Sequence, residues 1–353
     1  MINQLTFTRF LAAMAVVIYH YGKISSIFSG ETMSTLLKYG NSAVSYFFIL
    51  SGFVMIIAYG KRKTKLHKLT YYISRIARIY PIYILALFTV ALIALQSSDG
   101  LNLRAFLLQS LLLQSWFPAD VMVLNSPGWS LSVEVFFYLL FPLLLGLYKK
   151  VRFAWMFYGI VTFWMVSQVV FNYLLTNPQH GVSSNFLYYA PMMHLNQFLL
   201  GNLMGFLYFR FQKKNYDIPL LLLVLVLPLI LLLVDRYTTN ISFHNGLTAC
   251  FYAPFILLMA LNNGFISSWL SKSLFVVLGE ISYGIYILQK PVYSIMVHVG
   301  EALRVNSTLI NSLFFVTLLG VSLVSYYLIE LPSRQFIKAR YLRWKKKLHM
   351  ASA

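Results

Sequence analysis

Apolar residues recur along the chain in about ten runs of roughly 17 to 23 residues, each long enough to cross a hydrocarbon core ~30 Å thick. Read as helices, they cover residues 5–25, 41–59, 79–96, 129–148, 153–175, 189–209, 218–234, 243–262, 274–296 and 309–329. The pattern predicts an all-α fold: a polytopic transmembrane bundle of about ten membrane helices. The first run, Phe7 to Phe28, has no basic leader and no small-residue cleavage site, so it reads as a membrane helix rather than a signal peptide. Arg104 to Trp116 is apolar but only about 13 residues long, which suits one short re-entrant or interfacial segment. Pro118 and Asn125-Ser-Pro-Gly128 then turn the chain into Trp129. Irregular backbone at membrane depth survives only against protein or a wet cavity, so a cavity is expected near this segment.

Composition sharpens the picture. Of 353 residues, 59% are hydrophobic and 10% charged, far below the ~25% charged residues of a soluble domain. The net charge of +19 could signal nucleic-acid binding, so the placement of the 28 Lys and Arg decides its meaning. Segments that alternate to one side carry Lys61, Arg62, Lys63, Lys65, Lys68, Arg75 and Arg78, then Lys149, Lys150 and Arg152, then Arg210, Lys213, Lys214 and Lys272, and seven more between Arg334 and Lys347. The other side receives Lys23, Lys38, Arg104, Arg236 and Arg304, offset by acidic residues. The excess is a topology signal: multi-pass, with both termini cytoplasmic and no nucleic-acid partner required. Cys250, the single cysteine, lies in an apolar stretch and reads as a small core residue. No internal repeat, metal-ligand spacing or phosphate-binding glycine loop is visible, so no metal and no permanently bound cofactor are expected.

Ionisable residues inside apolar helices cost at least ~2.5 to 3.5 kcal/mol near the bilayer centre, so they are the candidates for chemistry. Arg9 and His20 are eleven positions apart, within about 20° on one helix face and about 16 Å apart along its axis. An imidazole there can take a proton from a hydroxyl, or it can simply bond a neighbouring helix. Glu134 lies one and a half turns inside the fourth helix and needs a partner, either His20 or an Arg; a helix-locking role is the alternative. Arg75 and Arg78 are three apart on a helix face, positioned to grip phosphate or to anchor the helix at anionic lipid. Ser51 and Gly52 read as packing residues in an aromatic helix, and nothing presents Ser51 as a nucleophile.

Six motifs in order resemble acyltransferase family 3 of bacterial membrane proteins over nearly the whole chain: Arg9 with ten residues before His20, Tyr46-Phe-Phe-Ile-Leu-Ser-Gly-Phe53, Arg75-Ile-Ala-Arg-Ile-Tyr-Pro81, Trp129-Ser-Leu-Ser-Val-Glu134 with Phe137 to Pro142, Leu278 to Leu288, and Ile329-Glu-Leu-Pro332. The resemblance implies transfer from acetyl-CoA or another acyl-CoA, used as co-substrate, to a surface or exported glycan in the bacterial inner membrane. It implies that His20 and Glu134 are catalytic, that Arg9, Arg75, Arg78, Trp129 and Ser132 bind substrate or donor, and that Arg75 and Arg78 are the donor-side pair. One departure is Gln289, where many relatives have a His; Gln cannot act as a base, so the base falls to His20 alone.

The expected layout is a single integral membrane acyltransferase domain over 1–345 and a short basic cytoplasmic tail over 346–353. No appended hydrolase-like domain is present, which implies a stand-alone enzyme in contact with membrane lipids. A transporter or flippase is the competing reading, since intramembrane His, Arg and Glu also build substrate pathways.

Overall fold

A computed structural model describes residues 2–22, 40–62, 66–98, 100–212, 242 and 244–351. The described residues form helices and turns, without strands. The helices are α1 (Gln4–Tyr21), α2 (Ala43–Tyr59), α3 (Lys68–Gln96), α4 (Leu103–Ser110), α5 (Trp129–Tyr148), α6 (Phe153–Thr176), α7 (Ser184–Tyr189), α8 (Leu195–Phe211), α9 (Ala249–Leu261), α10 (Phe265–Leu270), α11 (Ser273–Ala302), α12 (Ser307–Ser325) and α13 (Leu331–Ala351). A π turn, Tyr326–Glu330, joins the last two.

Helices stand at the expected segments, except 218–234, which lies outside the described residues. Five stretches are long and apolar enough to cross a membrane: Gly40–Tyr59, Lys68–Gln96, Ser126–Tyr148, Phe153–Thr176 and Ser307–Lys345. The described residues thus give five of the about ten spans expected. The physical reason lies in length and charge: α9 has 13 residues, α8 has 17, and α1 and α11 carry Arg9, Glu280 and Lys290 within them.

Two boundaries move. Helix α3 begins at Lys68 rather than near 79, capped by the His67 side chain, so Arg75 and Arg78 ride the same helix as the apolar span below them. Helix α13 runs unbroken through residue 345, where the sequence suggests a tail to begin. Cys250 also departs from its reading. It is exposed at the start of α9, because a membrane helix is apolar all round and apolar neighbours do not mark an inward face.

Close backbone approach holds the centre of the bundle. Helix α1 packs against α11 and α2 against α8. A Cβ on Gly279 would lie 2.0 Å from the Thr6 carbonyl oxygen, and one on Gly201 would lie 1.9 Å from that of Ile49. Small residues let helices approach where apolar burial offers little drive between them. Gly279→Val is expected to force α1 off α11, an overpacking cost of about 1–3 kcal/mol. A thermal melt of the purified protein checks this, and an unchanged midpoint would contradict the packing.

The short segment at 104–116 folds as α4 followed by irregular backbone through Gly128. Several of its polar groups are met by buried amides and hydroxyls. Tyr83 donates to the Gln109 carbonyl at 2.7 Å, Gln114 to Gly128 at 2.8 Å, and Asn125 to the Ile287 carbonyl at 3.2 Å, while the Asn125 N–H donates to the Gln109 side chain at 3.1 Å. Lys290 of α11 donates to the Leu124 carbonyl. Protein, not lipid, thus satisfies the irregular chain.

Candidate active site

Helices α1, α2, α3, α5 and α11 enclose a cavity of about 180 Å³, room for roughly a dozen waters at ~10–15 Å³ each. Its wall follows one face of α2 from Val44 to Ile57, about 20 Å along the axis at 1.5 Å per residue. Most of that wall is apolar: Val44, Phe47, Leu50, Phe53, Val54 and Ile57. Ser51 is the polar exception on α2, and the charged groups come from the other helices.

Arg9 enters from α1 and Arg75 and Arg78 from α3; all three line the cavity together with Glu134 of α5. Glu134 Oε1 accepts hydrogen bonds from Ser51 Oγ at 3.1 Å and from the Tyr138 hydroxyl, one turn below, at 2.5 Å. Arg9 stands within electrostatic reach of Glu134, Glu280 and Arg78. The hydrogen-bond partners of Glu134 are thus two hydroxyls, with the arginines in the same cavity. Arg75 donates to the Tyr59 hydroxyl at 3.2 Å and lies 5.7 Å from the Tyr138 ring centroid and 5.8 Å from that of Tyr71. Three guanidiniums thus face one carboxylate across a narrow space, a field that favours an anionic guest.

Below this cavity lies a second charged cluster, where Arg9 and Arg78 meet Glu280, Glu330 and Arg334. Glu330 closes the π turn, and its Oε1 is buried without a hydrogen-bond partner among the described residues. Gly284 leaves the space that this carboxylate occupies, since a Cβ there would stand 3.1 Å from Glu330 Oε1.

His20 is placed differently. It sits exposed in the last turn of α1, between the rings of Tyr19 and Tyr21, and is not among the residues that line the cavity. Gly40 packs on Ala15 and Tyr19, and Val44 marks the outer limit of the cavity one turn further along α2. Along α1 the last residue that lines the cavity is Arg9, eleven positions or about 16 Å of helix axis before His20.

Trp129 and Ser132 are buried but do not line the cavity; Ser130, Leu131, Glu134 and Tyr138 do. Ser132 is 200° round the helix from Ser130, so it faces away. Its hydroxyl accepts from the Ser115 N–H at 3.4 Å. Trp129 packs among Phe48, Tyr189, His194 and His244. Ser130, Tyr138 and Tyr286, not singled out in the sequence, line the cavity, as does Ser51, which the sequence reads as a packing residue. Ser130 donates to the Tyr286 hydroxyl at 2.8 Å near the outer end. Tyr286 was legible only as part of the Ser282-Tyr-x-x-Tyr286 pattern. Gln289 is buried and donates to the Tyr286 carbonyl at 2.7 Å. Among the described residues, no group of His, Cys, Asp and Glu could hold a metal.

Comparison with known proteins adds to this geometry. A family model described as an acyltransferase domain matches residues 2–331. The chain is 31% identical to the acyltransferase MdmB of Streptomyces mycarofaciens over 57% of its own length and 56% of that protein. It is 26% identical to a protein of Staphylococcus aureus (strain COL) named "Putative O-acetyltransferase", over 96% of this chain and 58% of the other. An uncharacterized protein of Haemophilus influenzae is 29% identical over 60% of this chain and 95% of its own. The chain thus spans a little over half the length of the first two relatives. No solved structure matches.

Proposed function

The chain belongs to acyltransferase family 3, and on that premise we propose that it is a membrane-embedded O-acyltransferase. It moves an acyl group, in the first instance acetyl, from a cytoplasmic acyl-CoA to a hydroxyl of a surface or exported polysaccharide. The protein is multi-pass, and the bias of its basic segments supports a topology with both termini on the cytoplasmic side of the bacterial inner membrane.

One observation carries this reading: a slender apolar cavity with Arg9, Arg75 and Arg78 toward one end, walled in part by the helix that carries an exposed imidazole three turns beyond Arg9. An acyl-CoA fits that shape by its chemistry. Its phosphates suit the guanidiniums at the cytoplasmic mouth, and its thin pantetheine arm suits the apolar wall of α2. The thioester then lies toward Val44 and Tyr286, where a hydroxyl arriving from the outer face meets it.

The reaction follows from these positions. His20 takes the proton of the acceptor hydroxyl as its oxygen attacks the thioester carbonyl. The new C–O bond forms, the C–S bond breaks, and the coenzyme A thiolate leaves. The proton on His20 returns to the thiolate through solvent, so the sum is ester plus free thiol. Tyr286, whose oxygen already accepts from Ser130, keeps its own proton to donate to the carbonyl oxygen as negative charge develops there. Glu134 holds Ser51 and Tyr138 and balances the arginines.

Two outcomes are expected of mixing purified protein with labelled acetyl-CoA and an oligosaccharide acceptor: thiol release that depends on the acceptor, and label on the sugar. An intact thioester with vectorial movement of substrate would instead support a transporter, the reading favoured by charged groups within the bundle. Tyr286→Phe is expected to lower kcat by about 10- to 100-fold with little change in donor KM, since the bond forms only as charge develops. An unchanged kcat removes Tyr286 from the mechanism.

A further inference from the structure

The cytoplasmic side holds a second cleft, of about 320 Å³, between the end of α2, the first turns of α3 and the middle of α13. Arg62, His67 and Lys338 stand in its walls with the rings of Tyr59, Tyr71 and Tyr341, and none of the described residues that line it is a carboxylate. Thr70 ties the cleft together, bonding the His67 ring at 3.0 Å and the Tyr341 hydroxyl of α13 at 2.9 Å. The Arg62 guanidinium lies 4.7 Å over the Tyr59 ring.

The cleft adjoins the cavity above it. Tyr59 forms part of its wall and at the same time accepts the hydrogen bond from Arg75, which lines the cavity. Lys338 is near enough to Arg75, Arg78 and Arg334 to feel their charges. Gathering cations around a concave space with no carboxylate in it costs repulsion, and an anion bound there relieves that cost. The family match ends at residue 331, so Lys338 and Tyr341 lie in chain beyond it.

We propose that this cleft seats the nucleotide end of the acyl-CoA donor, with Arg62 and Lys338 gripping its 3′-phosphate and the tyrosine rings flanking its adenine. The proposal rests on the donor reading above and deepens it: α13 becomes part of the donor site rather than a membrane-surface anchor. Guanidinium and ammonium groups match phosphate, and stacked aromatic faces match a purine. A lipid headgroup offers the same phosphate chemistry but no purine. The three rings, and the step from this cleft to the cavity through Tyr59 and Arg75, favour the nucleotide.

The test compares binding of coenzyme A and 3′-dephospho-coenzyme A to the full chain in phosphatidylcholine nanodiscs. A charge-assisted contact to one phosphate predicts a preference for coenzyme A of about tenfold or more. In R62A/K338A the preference should fall toward one, while 3′-dephospho-coenzyme A binds within about twofold of the wild type. Arg62 is exposed, and an unchanged melting midpoint confirms that the variant is folded. A preference that persists in the variant, or is missing from the wild type, overturns the proposal but leaves the donor reading standing. Wild-type protein without preference that instead binds phosphatidylglycerol through Arg62 and Lys338 identifies a lipid seat and also overturns it. Failure of the wild type to bind either coenzyme overturns the donor reading, and this proposal with it.

Discussion

His20→Ala is expected to abolish acyl transfer to the glycan while the protein accumulates in the membrane at its normal level. The imidazole is exposed at the end of α1, with its ring contacts among the described residues made to its chain neighbours Tyr19 and Tyr21, so its removal takes nothing from the buried core. Loss of a positioned general base costs about 10²- to 10⁴-fold. The Gln289 position sharpens this prediction, because its amide is buried and bonded to the Tyr286 carbonyl and cannot accept a proton in place of the lost ring. The measurement is the acyl content of surface polysaccharide beside an immunoblot of the membrane fraction. Full acylation with His20→Ala would remove the residue from the chemistry. A fall in protein level would reassign it to folding.

The second large effect belongs to the donor mouth. Arg75→Ala with Arg78→Ala should raise the donor KM by about 10- to 100-fold, since each charge-assisted phosphate contact is worth about 1.5–3 kcal/mol and part of that is recovered by water. The acceptor KM should move far less, because both guanidiniums sit on the basic side of the cavity and the acceptor enters from the other. Arg75 also braces Tyr59 and lies against the rings of Tyr71 and Tyr138, so Arg75→Lys is the useful control. It keeps the charge but loses the planar fork, and should recover only part of the donor affinity. Donor and acceptor KM values that rise together would point to a collapsed cavity instead of a lost phosphate grip.

Particular residues show how much of this was legible in the sequence. The apolar runs gave the helices their places, because length and hydropathy alone decide what lies in lipid. Charge alone asks for a partner to Glu134, His20 or an arginine; the fold gives it the hydroxyls of Ser51 and Tyr138 and brings Arg9, Arg75 and Arg78 into the same cavity. Depth along a helix could be counted, so His20 lies at the end opposite Arg9 as its spacing requires. The angular position of uncharged residues could not be counted in the same way. Ser51 and Gly52 are adjacent, yet Ser51 turns to Glu134 while Gly52 meets α8, where a Cβ would lie 2.1 Å from the Phe198 carbonyl oxygen. Trp129 and Ser132 share a motif with Glu134 but point away from the cavity, and Cys250 is exposed in an apolar helix. In a bundle whose outer surface is as apolar as its interior, hydropathy does not say which face is inward.

The measurement that bears most directly on a through-membrane transfer uses oriented proteoliposomes, with acetyl-CoA confined to the side of the basic loops and an oligosaccharide confined to the other. The architecture predicts acetylated sugar accumulating opposite the donor while free coenzyme A accumulates with it, and neither product forming in His20→Ala vesicles. Product that forms only when both substrates share one compartment would contradict a reaction running from Arg75 through the bundle to His20.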